Sequence, residues 1–169
     1  MELKIAGKVN DSIVDGPGIR YTIFVQGCPH HCEGCHNPHT HDFNAGKIID
    51  TDDILKEIKA NPLLSGVTFS GGEPMCQAKA LAFLGEKIKE YDESLDIITY
   101  TGFTFDELLL NSNDENGFKE LLEVTDFLVD GKFDIEKKDW QLKFRGSTNQ
   151  RIIDCKKSLK NSQIFEVEL

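Results

Sequence analysis

Three cysteines fall within eight residues, in the run Gln26-Gly27-Cys28-Pro29-His30-His31-Cys32-Glu33-Gly34-Cys35-His36-Asn37-Pro38. The spacing is C-x3-C-x2-C, with no fourth cysteine nearby. Three thiolates on one compact loop can hold three irons of a cubane 4Fe–4S cluster and leave the fourth without a protein ligand. Such a vacancy is what a cluster needs if it is to bind a substrate as well as carry electrons. Proline and glycine between the cysteines let the backbone fold tightly around the group. The alternative is a structural zinc knot that completes its shell with one of His30, His31, His36, His39 or His41. Cys76 and Cys155 lie far off, inside helical patterns, and read as small buried residues. A second chemical segment is Ser70-Gly71-Gly72-Glu73-Pro74. Its glycines allow close approach of the backbone to a ligand, and Glu73 is placed to accept hydrogen bonds from a ligand ammonium. Alone, the same five residues would also suit a plain turn from strand to helix.

These segments need elements to position them. Residues 20–26 alternate and are rich in β-branched and aromatic types, which predicts a strand leading into the cysteines. Residues 28–47 have no periodicity and read as a long loop, held by a ligand or by function. A helix through about residue 60, capped by Thr51 or Asp52, precedes a strand at 66–70 that stops at Gly71-Gly72. A helix at 76–91, a strand at 95–100, helical pieces at 104–111 and 117–124, and a strand at 126–130 follow. A helix at about 149–160 and a last strand at 163–169 complete the series. Alternation of strand and helix with short connections predicts a parallel sheet with right-handed crossovers. About five strands are too few to close an eight-stranded barrel. The expected fold is therefore α/β, an open partial barrel with a mostly parallel sheet over a single domain, 1–169. Its site is expected at the C-terminal ends of the strands.

Composition narrows the classes. The chain has 169 residues and a formal charge of −10, from 29 acidic against 19 basic side chains. That balance argues against binding nucleic acid or an anionic membrane surface. No apolar run is long enough to span a bilayer and the first residues have no signal-peptide core, so a cytoplasmic protein is expected. Five cysteines, an odd number, point to metal or redox chemistry ahead of a disulfide framework.

Together, the triad and the glycine-rich segment resemble the radical S-adenosylmethionine superfamily. The resemblance implies that Cys28, Cys32 and Cys35 hold the cluster and that Ser70, Gly71, Gly72 and Glu73 receive the methionine end of S-adenosylmethionine. It also implies that reductive cleavage of that cofactor yields a 5′-deoxyadenosyl radical. Asp15-Gly16-Pro17-Gly18-Ile19-Arg20 is by itself a good type II turn. It is also similar to a segment of glycyl-radical-enzyme activases that lies against the incoming peptide, which implies partner contacts at Asp15 and Arg20. Cys35-His36-Asn37-Pro38, the segment from Leu128 to Phe133 and the segment from Arg145 to Asp154 extend the likeness to activases of anaerobic ribonucleoside-triphosphate reductase. On that likeness the chain installs a glycyl radical on the large reductase subunit, takes electrons from reduced flavodoxin or a similar donor, and forms homodimers. Asp130 and Lys132, read as sharing one side of the pleat, are expected to reach the cofactor or a bound cation; a solvated ion pair is the plainer reading. Arg145, Asn149 and Arg151 are further candidates for cofactor or partner contact, with Asn149 also fit to cap a helix. Most of the superfamily carries an aromatic residue just before the third cysteine, where this chain has Gly34; His36 is then expected to supply the adenine surface. The rival function is a small-molecule radical enzyme such as a 7-carboxy-7-deazaguanine synthase, and a zinc-dependent binding module is the rival of another class.

Overall fold

The computed structural model describes all residues, Met1–Leu169. Seven strands form one sheet: β1 (Glu2–Ser12), β2 (Arg20–Val25), β3 (Lys47–Asp50), β4 (Gly66–Gly71), β5 (Asp96–Tyr100), β6 (Phe127–Asp130) and β7 (Arg151–Asp154). Their spatial order is β3-β1-β2-β4-β5-β6-β7. The four central strands, β2, β4, β5 and β6, run parallel, while β1, β3 and β7 add antiparallel flanks. Five helices accompany them: α1 (Thr51–Ala60), α2 (Ala78–Tyr91), α3 (Phe105–Asn111), α4 (Phe118–Val124) and α5 (Cys155–Asn161). The sheet stays open at its β3 and β7 edges, as expected of a partial barrel.

Alternation along each strand divides the sheet into two faces. Tyr21, Ile23 and Val25 of β2, Val67 and Phe69 of β4, Ile97 of β5 and Leu128 of β6 join the apolar stripes of the helices in one core of 26 buried residues. Burying each large side chain there stabilises the fold by roughly 1.5–3 kcal/mol. Local signals start the helices. Asp50 caps α1 by accepting the Asp52 N–H, one residue before the predicted cap. Thr104 and Glu107 close a reciprocal capping box on α3. The opposite face carries Arg20, Thr22 and Phe24 of β2, Thr68 and Ser70 of β4, and Tyr100 of β5. It has only a small apolar cluster, Ile98, Val129 and Ile152.

Several sequence expectations need correction. β1 and β3 were not anticipated; β3 has only four residues and starts at Lys47, where the supposed loop ends. The helix expected from 149 begins at Cys155, because residues 151–154 pair with β6 and Asp154 caps α5 by accepting the Lys157 N–H. The expected last strand is reduced to an isolated bridge between Glu166 and Ile153. Cys76 lies in a 3₁₀ turn, Pro74–Gln77, and is exposed, whereas Cys155 is buried as expected.

Candidate functional site

The site lies where the parallel strands end. β2 runs straight into the cysteine segment, and the loop that follows is held by its own hydrogen bonds. Gln26 donates from its side-chain amide to the carbonyls of His39 (3.1 Å) and Asp42 (2.7 Å). The Gly27 N–H donates to Thr40 O (2.7 Å) and the Cys28 N–H to His41 O (3.2 Å). Cys28 is buried, while Cys32 and Cys35 are half-buried. Burial pushes the Cys28 thiol above its ordinary value; the N–H groups of His30 and His31 oppose this, and the Glu73 charge adds to it. Burial likewise raises Cys32, with the Phe133 N–H acting against it. The Asn37 N–H points at Cys35 Sγ (3.4 Å). The Asn37 N–H at Cys35, with the backbone of His30, His31 and Phe133 favouring the ionised sulfurs of Cys28 and Cys32, is the kind of polar setting that tunes thiolate-bound iron–sulfur clusters, so this donor set fits such a group. No three His, Cys, Asp or Glu side chains converge on a point as a single metal ion requires.

Cys28, Cys32 and Cys35 open on a cavity of about 780 Å³ that also exposes Ser70, Gly71 and Gly72, Asp15, and Tyr100. Its size is that of sites for small-molecule cofactors. The glycines at the end of β4 have a demand of their own. A Cβ on Gly71 would lie 2.5 Å from Phe24 Cα, and one on Gly72 would lie 2.3 Å from Gly27 O. The Gly72 N–H donates to Val25 O and the Glu73 N–H to Gly27 O, both at 2.8 Å. The close approach is thus to the root of the cysteine loop, and the same backbone then floors the cavity.

Glu73 does not face that cavity. Its side chain is fully buried and accepts from the N–H of Met75 (3.0 Å), the N–H of Gly102 (2.8 Å) and Nε2 of His30 (2.5 Å). The expectation that it meets a ligand ammonium is corrected: its oxygens are already occupied. Arg20 is likewise fully buried. It donates to Thr68 Oγ1 (2.7 Å), Val67 O (2.9 Å), Pro17 O (3.2 Å) and Asp96 Oδ1 (2.6 Å), so it presents nothing to a partner. Asp15 is half-buried at the cavity wall, where it accepts from Ser12 Oγ (2.5 Å).

Asp130 and Lys132 are not brought to the cavity. Asp130 is two residues on from Leu128 and so shares its helix-side face. It accepts from the Phe105 N–H (2.8 Å) and from Arg151 (2.5 Å). Lys132 is exposed beside Glu33 in a separate shallow depression. Asn149 caps no helix; its side chain donates to Lys132 O (2.8 Å). Gly34 has φ +72°, and a Cβ there would lie 2.8 Å from Ile135 Cδ1 and 3.3 Å from Phe133 Cε1. Any side chain there would be strained by the positive φ and would have to push Ile135 aside. His36 lines the cavity with its ring 5.4 Å from that of Phe133, so Phe133 adds an aromatic wall, a role the sequence reading does not give it.

Three further residues of the site had weak signals in the sequence. Tyr100 lies on the cavity face by strand parity and donates to Phe144 O (2.8 Å); burial, with help from the Asp15 charge, holds its phenol protonated. Arg145 lines the cavity with a buried Nε that has no partner. His41 has a buried, unpartnered Nε2, and burial beside His31 and His39 keeps its pKa below the ordinary value.

Comparison with known proteins gives the family of the chain. The family model of the 4Fe-4S single cluster domain matches residues 14–153. The anaerobic ribonucleoside-triphosphate reductase-activating protein of Vibrio cholerae is 38% identical over 146 residues, 83% of this chain and 90% of that protein. Its namesake from Escherichia coli K12 is 34% identical over 144 residues, 82% of this chain and 90% of that protein. That of Enterobacteria phage T4 is 32% identical over 147 residues, 82% and 86% respectively. Among solved structures, QueE from Escherichia coli overlays with a TM-score of 0.45 at 18% identity, over 62% of this chain and 54% of that one. At that level the overlay carries no argument.

Proposed function

The chain belongs to the family of anaerobic ribonucleoside-triphosphate reductase-activating proteins, and on that premise we propose that it is the activase that installs a glycyl radical on the large reductase subunit. The observation that carries this reading is one cavity in which three amide-supported thiols face a glycine backbone floor and the Asp15 wall. In the proposal Cys28, Cys32 and Cys35 hold a 4Fe–4S cluster, and Ser70, Gly71 and Gly72 receive S-adenosylmethionine. When bound, the two groups supply the reducing electron and the carbon radical that takes a hydrogen atom from a glycine.

The remaining work falls to the chain itself. The amides of His30, His31, Phe133 and Asn37 stabilise negative charge on the sulfurs, which favours a thiolate over a thiol. The loop and the segment 131–150, through Phe133, Phe144 and Arg145, form walls of the cavity on which the sulfurs open. Asp15 stands at the wall where an incoming peptide would enter, with one carboxylate oxygen bound to Ser12 and the other available. A glycine Cα must be held at near contact for hydrogen transfer, so small displacements of that wall are costly. The proposal also takes a reduced flavodoxin-like donor and a homodimer from the family likeness.

The test separates cofactor cleavage from partner activation. With a strong reductant, Asp15→Ala is expected to release methionine from S-adenosylmethionine at the wild-type rate. On mixing with the large reductase subunit it is expected to give much less glycyl radical by electron paramagnetic resonance. Equal losses in both assays would make Asp15 a cofactor or fold residue. Consumption of a small molecule by the wild-type protein, with no radical on the reductase, would favour the deazaguanine-synthase type.

A further inference from the structure

We infer that Glu73 and His30 form a latch that fixes the first half of the cysteine loop on the ends of β4 and β5. The inference deepens the reading above, because the loop in question is the one proposed to hold the cluster. Glu73 grips the loop twice. Its N–H donates to Gly27 O (2.8 Å) and its carboxylate meets Nε2 of His30 (2.5 Å). Cys28, the buried thiol of the three, lies between the two grips. The same carboxylate takes the Gly102 N–H just beyond β5. The His30 ring packs edge-on against Phe103 with centroids 4.6 Å apart. Gly102 leaves the space that the ring fills, since a Cβ there would lie 2.4 Å from His30 Cδ2.

Burial couples the two side chains. The His30 side chain is 6% exposed and that of Glu73 0%. A buried carboxylate is tolerated only when its lone pairs are filled, and here protein groups alone fill them. Removing either partner leaves the other buried without its hydrogen bond, so the pair stands or falls together. The second half of the loop has no such anchor. His31 and Gly34 both take positive φ, and Cys32 and Cys35 are half-buried. The latch therefore pins the half of the loop at Cys28, while Cys32 and Cys35 lie beyond its reach. Glu73 is a positioning residue in this account and touches no ligand.

Amide hydrogen exchange on the cluster-free protein tests this without cofactor or reductase. His30→Ala is expected to speed exchange roughly ten-fold or more over residues 27–30 and to leave 32–35 little changed. His30→Gln, which still offers an N–H to Glu73, is expected to restore most of the protection. After reconstitution, His30→Ala is expected to lose iron to a chelator faster, with S-adenosylmethionine affinity per filled cluster unchanged. Adding Glu73→Gln to His30→Ala is expected to cost less than the two single effects summed. Wild-type exchange in His30→Ala, or intact loop protection with weakened S-adenosylmethionine binding in Glu73→Gln, would overturn the latch. If Glu73→Gln fails to fold, the two His30 variants decide the matter alone. A reductase that never acquires a radical would sink the proposed function while leaving these exchange results standing.

Discussion

The cavity face of the sheet has two ends that treat charge in opposite ways. Where β2, β4 and β5 begin, Arg20 fills the space above Gly66 and spends its donors on Thr68, Val67, Pro17 and Asp96. Where the same strands finish, the backbone of Ser70, Gly71 and Gly72 lines the cavity on which the three thiols open. One end is a sealed polar plug and the other an open site. Arg20 and Glu73 both belong to motifs next to the chemistry, yet both are fully buried with their partners supplied by the protein. Asp15, from the same motif as Arg20, faces the cavity. A charged residue beside a site is thus as often its frame as its contact, and burial tells the two apart.

The largest expected effect is at the open end. Alanine at Cys28, Cys32 or Cys35 should abolish the cluster, while Cys76→Ala and Cys155→Ala should keep it, as judged by iron and sulfide content after anaerobic reconstitution. Loss of iron in Cys76→Ala equal to that in Cys32→Ala would break the assignment.

At the sealed end, Arg20→Ala should lower unfolding free energy by about 1–3 kcal/mol, because it strands the buried carbonyl of Val67 and the hydroxyl of Thr68 without their partner. Urea denaturation measures this; normal stability with failed reductase activation would return Arg20 to the partner surface. Gly72→Ala sharpens the contrast from the other side. A Cβ 2.3 Å from Gly27 O must displace the root of the cysteine loop, so destabilisation of about 1–3 kcal/mol should accompany loss of cluster iron. A variant with full stability and full iron but weak cofactor binding would mean that the glycine serves the ligand alone.

A smaller effect is expected at Asp126, just before β6. Burial raises its carboxyl pKa, but Lys156, Lys89 and the Ile97 N–H outweigh it and hold the group below the usual carboxylate value. A depressed folded pKa adds stability above the unfolded value of about 3.9 that is lost as pH falls through the folded value. Asp126→Asn should therefore cost about 1–2 kcal/mol near neutrality. The gap from wild type should close below about pH 4, as read by urea melts across pH.

Legibility followed the strength of local patterns. The alternation of Arg20–Val25 and the stop at Gly71-Gly72 located β2, β4 and the open end, and the cysteine spacing located the sulfurs. Short elements escaped: Arg151–Asp154 is only four residues and runs directly into a helix, so its strand pattern is masked by the helical one. The family likeness of its segment puts Asp130 at the cofactor, although its parity with Leu128 places it among the helices. Glu73 and His30 could not be paired from sequence, since 43 residues separate them and only the parallel pairing of β2 with β4 brings them together. Phe133 is remote from the triad in the chain in the same way.

The account is tested most directly by reconstituting the wild-type protein anaerobically, adding S-adenosylmethionine, a one-electron reductant and the large subunit of an anaerobic ribonucleoside-triphosphate reductase, and recording the electron paramagnetic resonance spectrum. A glycyl radical doublet on the reductase, absent when Cys32→Ala replaces the wild type, is the predicted result. Full iron content with methionine released but no protein radical on the reductase would contradict it.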